Sequence, residues 1–384
     1  MVKEKIDAIE NKTKAQPKEE PKSKTSEEKW DIELLRGLSE TRGCSGHEEK
    51  ISKYIRNIIT PLCDKVFSDT MGNLYGVKHG INYGTSNDTS VMLSAHMDEI
   101  GFIVRYIDKE GFIRVSQIGG QNPRLLPGSR VLIAGYNGEI PGIFGEKSIH
   151  FLGSDERKKT SELKDLFIDV GLNSKEEVEK YVQIGDFAEF DQKMQKFPNS
   201  TRVNGKSFDD RAGCYVLIRA LQNISKKAPP KQTIIFTFST QEELGVRGAT
   251  VAGYRINPTL ALALEVSFAF DHPNLKKSDF ADVKMGDGPT IAVGPNLHPK
   301  ISKKLINIGK TNKIPFQVIS ANSPTGTDAR ILQVTREGIP VGLVSTPLRY
   351  MHTMIETMDL VDLESTVALI TQFLLSDLGE EYDL

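Results

Sequence analysis

The run Thr233-Ile-Ile-Phe-Thr-Phe-Ser-Thr240 constrains the fold of this chain more than any other stretch. It is uncharged, rich in β-branched and aromatic residues, and of strand length, so it predicts a buried strand. Glu242 and Glu243 follow at its exit, just before Gly245 and Gly248. Adjacent carboxylates at that place lose hydration, which is costly unless a metal, a partner or a reaction compensates them. Open α/β sheets bind their ligands just outside the carboxyl ends of their strands. The glutamate pair is therefore the first candidate for a site.

The same texture recurs around it. Strands are expected over Val66 to Asp69, Leu74 to Val77 and Val91 to Ala95, the last running into His96-Met-Asp98. Leu260 to Leu264 runs into Glu265, and strands over Thr290 to Val293, Phe316 to Ile319 and Val341 to Val344 lead towards His352. Helical patterns begin at Trp30, after the capping-box spacing Ser45/Glu48, at Cys214 behind Asp209 and Asp210, and near Leu363. Between Tyr106 and Ser200 the texture changes to short strands rich in Gly and Pro, with one charged helix over Ser174 to Val182 opened by a second capping-box spacing, Ser174/Glu177. The expected fold is α/β: a mixed sheet flanked by helices over 29–105 and 201–384, interrupted by a β-rich insert over 106–200. Residues 1–28 are Lys, Glu, Ser and Pro with almost no large apolar side chains, which predicts a disordered charged tail.

Composition removes several classes of function. Lys+Arg 49 against Asp+Glu 51 leaves a net charge of -2, so bulk charge implies no nucleic-acid partner. No apolar run reaches membrane-spanning length, and the N-terminus lacks an apolar signal core. The 3 cysteines, Cys44, Cys63 and Cys214, show no CxxC spacing, which argues against a disulfide framework and fits a reducing, cytoplasmic setting.

His96 and Asp98 at a strand end read equally as a metal ligand oriented by its neighbour, or as a buried histidine satisfied by that neighbour. One of Asp209 and Asp210 reads as a helix cap, where the helix dipole favours negative charge. His47 and His150 read as structural or surface residues. Taken together, His96, Asp98, Asp209, Glu242, Glu243, Glu265 and His352 form the inventory of a two-metal hydrolytic site. It holds imidazoles, a carboxylate able to bridge, further ligands and one carboxylate left as a base. Oxygen and imidazole donors without thiolate suit Zn, Co or Mn. Such a site activates water and stabilises a tetrahedral oxyanion.

The segments Ala95-His-Met-Asp-Glu-Ile-Gly-Phe102, Phe208-Asp-Asp-Arg-Ala-Gly213, Gln241-Glu-Glu-Leu-Gly-Val-Arg-Gly248 and Pro347-Leu-Arg-Tyr-Met-His352 resemble, in order and spacing, the M42 metallo-aminopeptidases. That family includes glutamyl and tetrahedral (TET) aminopeptidases, and the likeness runs from about Trp30 to Leu378. It implies release of N-terminal residues from short peptides by water attack at two divalent ions. His96 would bind the first ion, oriented by Asp98, and Asp209 would bridge, with Asp210 as its neighbour. Glu242 would be the general base and acid, and Glu243 and His352 would hold the second ion. The insert would match a PDZ-like domain that makes the dimers from which tetrahedral dodecamers assemble.

Two positions depart from the family pattern. Glu265 stands where Asp is usual as the terminal ligand of the first ion, which implies altered metal affinity or preference. Arg330 stands where a smaller residue is expected; it reads either as a selector of acidic substrates or as a surface ion-pair partner. Asp328 in the same stretch reads as an outer or substrate-side residue. Two alternatives compete with the aminopeptidase reading. A non-catalytic assembly homologue is suggested by Glu265. An endoglucanase-type glycosidase needs two carboxylates on opposite sides of the scissile bond, roughly 5 Å or more apart, and has no use for the two histidines.

Overall fold

Apolar runs of the kind that begins at Thr233 are buried on both faces only when neighbouring strands and two layers of helices cover them. The computed structural model describes residues 30–86, 88–273, 275–276, 278, 281–378 and 382; the charged tail expected over 1–28 lies outside them. The strands in chain order are β1 (Lys65–Ser68), β2 (Leu74–Lys78), β3 (Ser90–His96), β4 (Gly101–Ile107), β5 (Ile113–Ile118), β6 (Arg130–Gly135), β7 (Gly138–Gly145), β8 (Phe167–Asp169) and β9 (Phe187–Phe190). They continue with β10 (Gln195–Lys196), β11 (Arg202–Gly205), β12 (Thr233–Ser239), β13 (Leu260–Phe268), β14 (Thr290–Val293), β15 (Gln317–Ser320), β16 (Val341–Arg349) and β17 (Glu356–Asp359).

Eleven strands form one mixed sheet in the order β1-β2-β12-β3-β13-β16-β17-β11-β10, with β14 and β15 attached beside β16. Its centre, β12-β3-β13-β16, is parallel throughout. All seven residues of β12 are buried. The helices Phe208–Ser225 and Leu360–Leu375 pack together and cover the sheet with largely buried faces. The other side carries a core of Tyr75, Met92, Ile235, Ala261, Leu332 and Leu343. Phe238 is fully buried in β12. Phe238→Ala is expected to destabilise the fold by about 3–5 kcal/mol, read from the midpoint of denaturant unfolding.

The segment between β3 and β10 closes into a separate barrel, β4-β5-β8-β7-β6-β9. Alternating residues from its strands fill it, including Phe102, Ile113, Val131, Ile133, Phe144 and Ile168. Phe102 meets Phe144 and Phe190 edge to face at 4.8 and 5.5 Å. Among the described residues no helix is long and apolar enough to cross a membrane.

Three local expectations need correction. Ser45 does not cap a helix: the helix runs over Glu49–Ile59 with Glu48 at its N-cap. The preceding turn is tied instead to the end of β3, where Ser45 donates its N–H to the Glu99 carbonyl. Ser174 does accept from the Glu177 N–H, but the Glu177 carboxylate turns back to Asn173 and the helix is only Lys175–Val178. Glu265 is not beyond the end of its strand, because pairing of β13 with β16 continues to Phe268.

Candidate metal centre

Parallel strands that share a direction share a carboxyl edge, and here that edge collects the candidate residues. His96 ends β3, beside Ser239 at the end of β12. Ala263 of β13 pairs with Ser94 of β3, so two residues further along lie Glu265 and His96. The chain leaves β12 through a turn carrying Glu242 and Glu243, and leaves β16 through a turn carrying His352. Asp209 and Asp210 open the helix Phe208–Ser225, with a cis peptide between them and non-helical backbone at both. Asp210 is the capping residue of the pair, since its Oδ1 accepts the Gly213 N–H at 3.0 Å. A Cβ on Gly213 would sit 2.3 Å from that carboxylate and 2.7 Å from the Leu264 carbonyl oxygen, so this turn requires glycine.

The two imidazoles are held alike. His96 Nδ1 lies 3.1 Å from the Asp98 carbonyl oxygen, which can only accept, so Nε2 is left facing Asp209 Oδ1 at 3.1 Å. Glu265 Oε2 and Glu242 Oε2 stand 3.9 and 4.0 Å from the same nitrogen. His352 Nδ1 is held by the Gly120 carbonyl at 2.9 Å, and its Nε2 faces Asp209 Oδ2 at 3.3 Å and Glu243 Oε1 at 3.2 Å. Asp209 therefore lies between the two histidines. Gly120 belongs to the loop after β5, so the barrel contributes to this site. Gln121 pins that loop by donating to the Gly101 and Ile118 carbonyls.

Asp98 does more than face His96, whose ring is closer to its carbonyl than to its carboxylate at 3.5 Å. The carboxylate accepts the N–H groups of Glu242 and Glu243 at 3.0 and 3.2 Å, which fixes their turn. Glu265 Oε1 accepts the Asp328 N–H at 3.1 Å. Asp328 in turn takes the Ser94 and Ser239 hydroxyls, each at 2.7 Å. Glu265 thus spans from the helix Asp328–Gln333 to the face of His96. Arg330 is exposed on that helix and has no ion pair among the described residues.

The electrostatics fit a site for cations. Burial, with the Asp328, Glu243 and Asp209 charges nearby, pushes the Glu242 carboxyl up to about 8 against the pull of His96. Burial also raises Glu243, Glu265 and Asp210. Asp209 is the exception: burial would raise it, but hydrogen bonds from His352 and His96 hold it well below the carboxylate range. Burial would lower His352, yet Asp209 and Glu243 take it up to about 11. Crowded carboxylates with so little hydration are groups that divalent ions would neutralise. Ligand atoms of His96, Asp209 and Glu243 lie within 4.8 Å of one another, as do those of His96, Asp210 and Glu265. Asp210 Oδ2 is buried without a hydrogen-bond partner among the described residues. The donors are all oxygen and imidazole, which suits Zn, Co or Mn.

The structure thus brings His96, Asp98, Asp209, Glu242, Glu243, Glu265 and His352 to one place. Sequence reasoning missed Glu356, whose buried carboxylate accepts the N–H groups of Asp209 and His352. It also missed the Gly120 carbonyl, for which no side chain could have given a signal. Glu356 left a faint one, as a carboxylate four residues after His352, directly behind Met354 and Ile355.

The family model for M42 glutamyl aminopeptidases matches residues 72–369. A lysyl aminopeptidase of Pyrococcus furiosus is 34% identical over 348 residues, 88% of this chain and 95% of that protein. The TET aminopeptidase of the marine sediment archaeon Thaumarchaeota archaeon SCGC AB-539-E09 superposes with a TM-score of 0.85 at 32% identity, over 90% of this chain and 96% of its own. The TET1 peptidase of Pyrococcus horikoshii, which can assemble into a tetrahedron or a large octahedral shell, superposes with a TM-score of 0.79 at 29% identity, over 90% and 99%. With a family model covering most of its length, the chain belongs to the M42 glutamyl aminopeptidase family.

Proposed function

We propose that this M42 aminopeptidase releases the N-terminal residue of short peptides by hydrolysis at a centre of two divalent ions. One observation carries the reading: Asp209 lies between His96 and His352, amid buried carboxylates that no Lys or Arg pairs with among the described residues. His96, Asp209 and Glu265 would hold the first ion, and Asp209, Glu243 and His352 the second, with Zn, Co or Mn as candidates. Ions bound there supply a Lewis acid for the scissile carbonyl and lower the pKa of water.

The protein's own groups do the remaining work. Glu242 is uncommitted to a cation and has its backbone fixed by Asp98. It takes a proton from the attacking water and delivers it to the departing amine as the C–N bond breaks. Asp98 keeps the two glutamates and His96 in register. An endoglucanase-type reading would leave both histidines without a task. The likeness to assembling TET peptidases supports a homo-oligomer. The barrel, with exposed Ile143, Ile149 and Phe151, is the surface we assign to dimer contacts, from which a tetrahedral dodecamer would be built. Three free cysteines support a cytoplasmic location.

The test is release of free N-terminal residues from a peptide panel by metal-stripped protein, with Zn, Co or Mn restored one at a time. Metal-dependent release from free but not acetylated N-termini is expected, and the panel shows whether Arg330 selects acidic residues. A folded, metal-loaded protein that cleaves no peptide would instead favour a non-catalytic assembly. Glu265→Asp should change which ion supports turnover while leaving the fold intact, because a shorter stem cannot hold both the Asp328 N–H and the His96 side. Identical metal dependence in the variant would remove Glu265 from the ligand set.

A further inference from the structure

We propose that Glu356 is a positioning residue, the carboxylate that sets Asp209 and His352 relative to one another so that both can hold the second ion; this rests on the two-ion reading above. Sheet order supplies the first argument. β17 lies between β16 and β11, pairing antiparallel with each. The chain reaches His352 directly after β16 and reaches Asp209 shortly after β11. Glu356, the first residue of β17, therefore stands between two chain segments that are far apart in sequence.

Its contacts match that placement. Glu356 is 2% exposed; its Oε1 accepts the His352 N–H at 2.9 Å and its Oε2 accepts the Asp209 N–H at 3.1 Å. No Lys or Arg is paired with it among the described residues. A buried carboxylate held only by backbone N–H groups is an expensive way to stabilise a turn, because its charge is desolvated with no cation beside it. The turn it grips is also one that needs holding. Tyr350 and His352 both have left-handed backbone, at φ 63° and 61°, which side-chain-bearing residues adopt only where surrounding structure enforces it. Asp98 works the same way across the site, taking the N–H groups of Glu242 and Glu243. Asp209, Glu243 and His352 thus each have their backbone N–H on one of two buried carboxylates.

The experiment is calorimetric titration of metal-stripped protein with Co²⁺, with melting of the metal-free form as a second readout. Wild type is expected to bind two ions. Glu356→Gln keeps the shape but turns an amide NH₂ towards one of the N–H donors. Affinity for the second ion, which both positioned ligands would hold, should then fall by about 10- to 100-fold, the usual effect of losing a group that orients a ligand, with the first ion weakened less. The Co²⁺ concentration for half-maximal turnover should rise by the same factor, while KM for peptide at saturating Co²⁺ stays put. Glu356→Asp, charged but one methylene shorter, should fall between. Wild-type affinity for both ions in Glu356→Gln overturns the proposal. So does equal weakening of both ions together with a lower melting point, since that describes general support of the fold. If Glu356→Gln does not fold, Glu356→Asp decides by the same criteria. A wild type that binds fewer than two ions refutes the two-ion reading itself, and this assignment with it.

Discussion

Glu242→Gln should bind its ions normally and lose turnover by about 10²- to 10⁴-fold, the range typical of a missing general base. The substitution keeps the size of the side chain and leaves the backbone N–H of residue 242 on Asp98. It removes only the capacity to accept and return a proton. Because Glu242 is outside the proposed ligand set and its backbone stays on Asp98, the loss should not disturb the ions. Steady-state kinetics with metal analysis of the same sample checks this. An unchanged KM with normal metal content and a collapsed kcat is the expected pattern. More than a tenth of wild-type activity would place the base elsewhere.

Asp209→Asn should have a larger effect through a different route. Asp209 faces both imidazoles, Oδ1 towards His96 and Oδ2 towards His352, so it serves both proposed ions at once. Its loss is expected to reduce activity beyond the about 10²- to 10⁴-fold of Glu242→Gln and to empty the site. The signature is in stability. Wild type should gain about 2.7 kcal/mol when an ion is added at a hundred times its dissociation constant, and Asp209→Asn should gain almost nothing. The metal-free variant should melt lower than metal-free wild type, because the Asp209 charge is held there by both imidazoles. Equal metal-induced stabilisation in the two proteins would deny Asp209 its shared position.

Much of this site was legible because of how parallel strands bury both faces. β12, β3 and the start of β13 are continuous apolar runs, so a charge just after one of them stands out. The ends of β13 and β16 were not legible for the same reason. Glu265 interrupts the apolar pattern of β13, and Pro347 interrupts that of β16. Proline is tolerated there because one side of β16 changes partner: β14 pairs with Val344 and Ser345, and β17 takes over at Leu348. The false cap at Ser45 shows the limit of a four-residue spacing rule. Glu48 does accept a nearby N–H, from Gly46, but its other partner is Gln241, almost two hundred positions away. Glu356 and the Gly120 carbonyl have meaning only once β11, β16, β17 and the barrel loop are side by side, which no local pattern announces.

The hydrogen bond from His352 to Gly120 ties two bodies of the molecule into one equilibrium. By reciprocity, free energy that fixes the loop after β5 is also free energy for presenting the His352 nitrogen, and occupancy at that nitrogen must tighten the loop by an equal amount. If copies meet through the barrel as proposed, their contact would raise ion affinity without touching an ion ligand, and dilution to single copies would lower it. Trimming the barrel to obtain a minimal peptidase would release an imidazole as well as a surface, so quaternary state and metal content should be measured together.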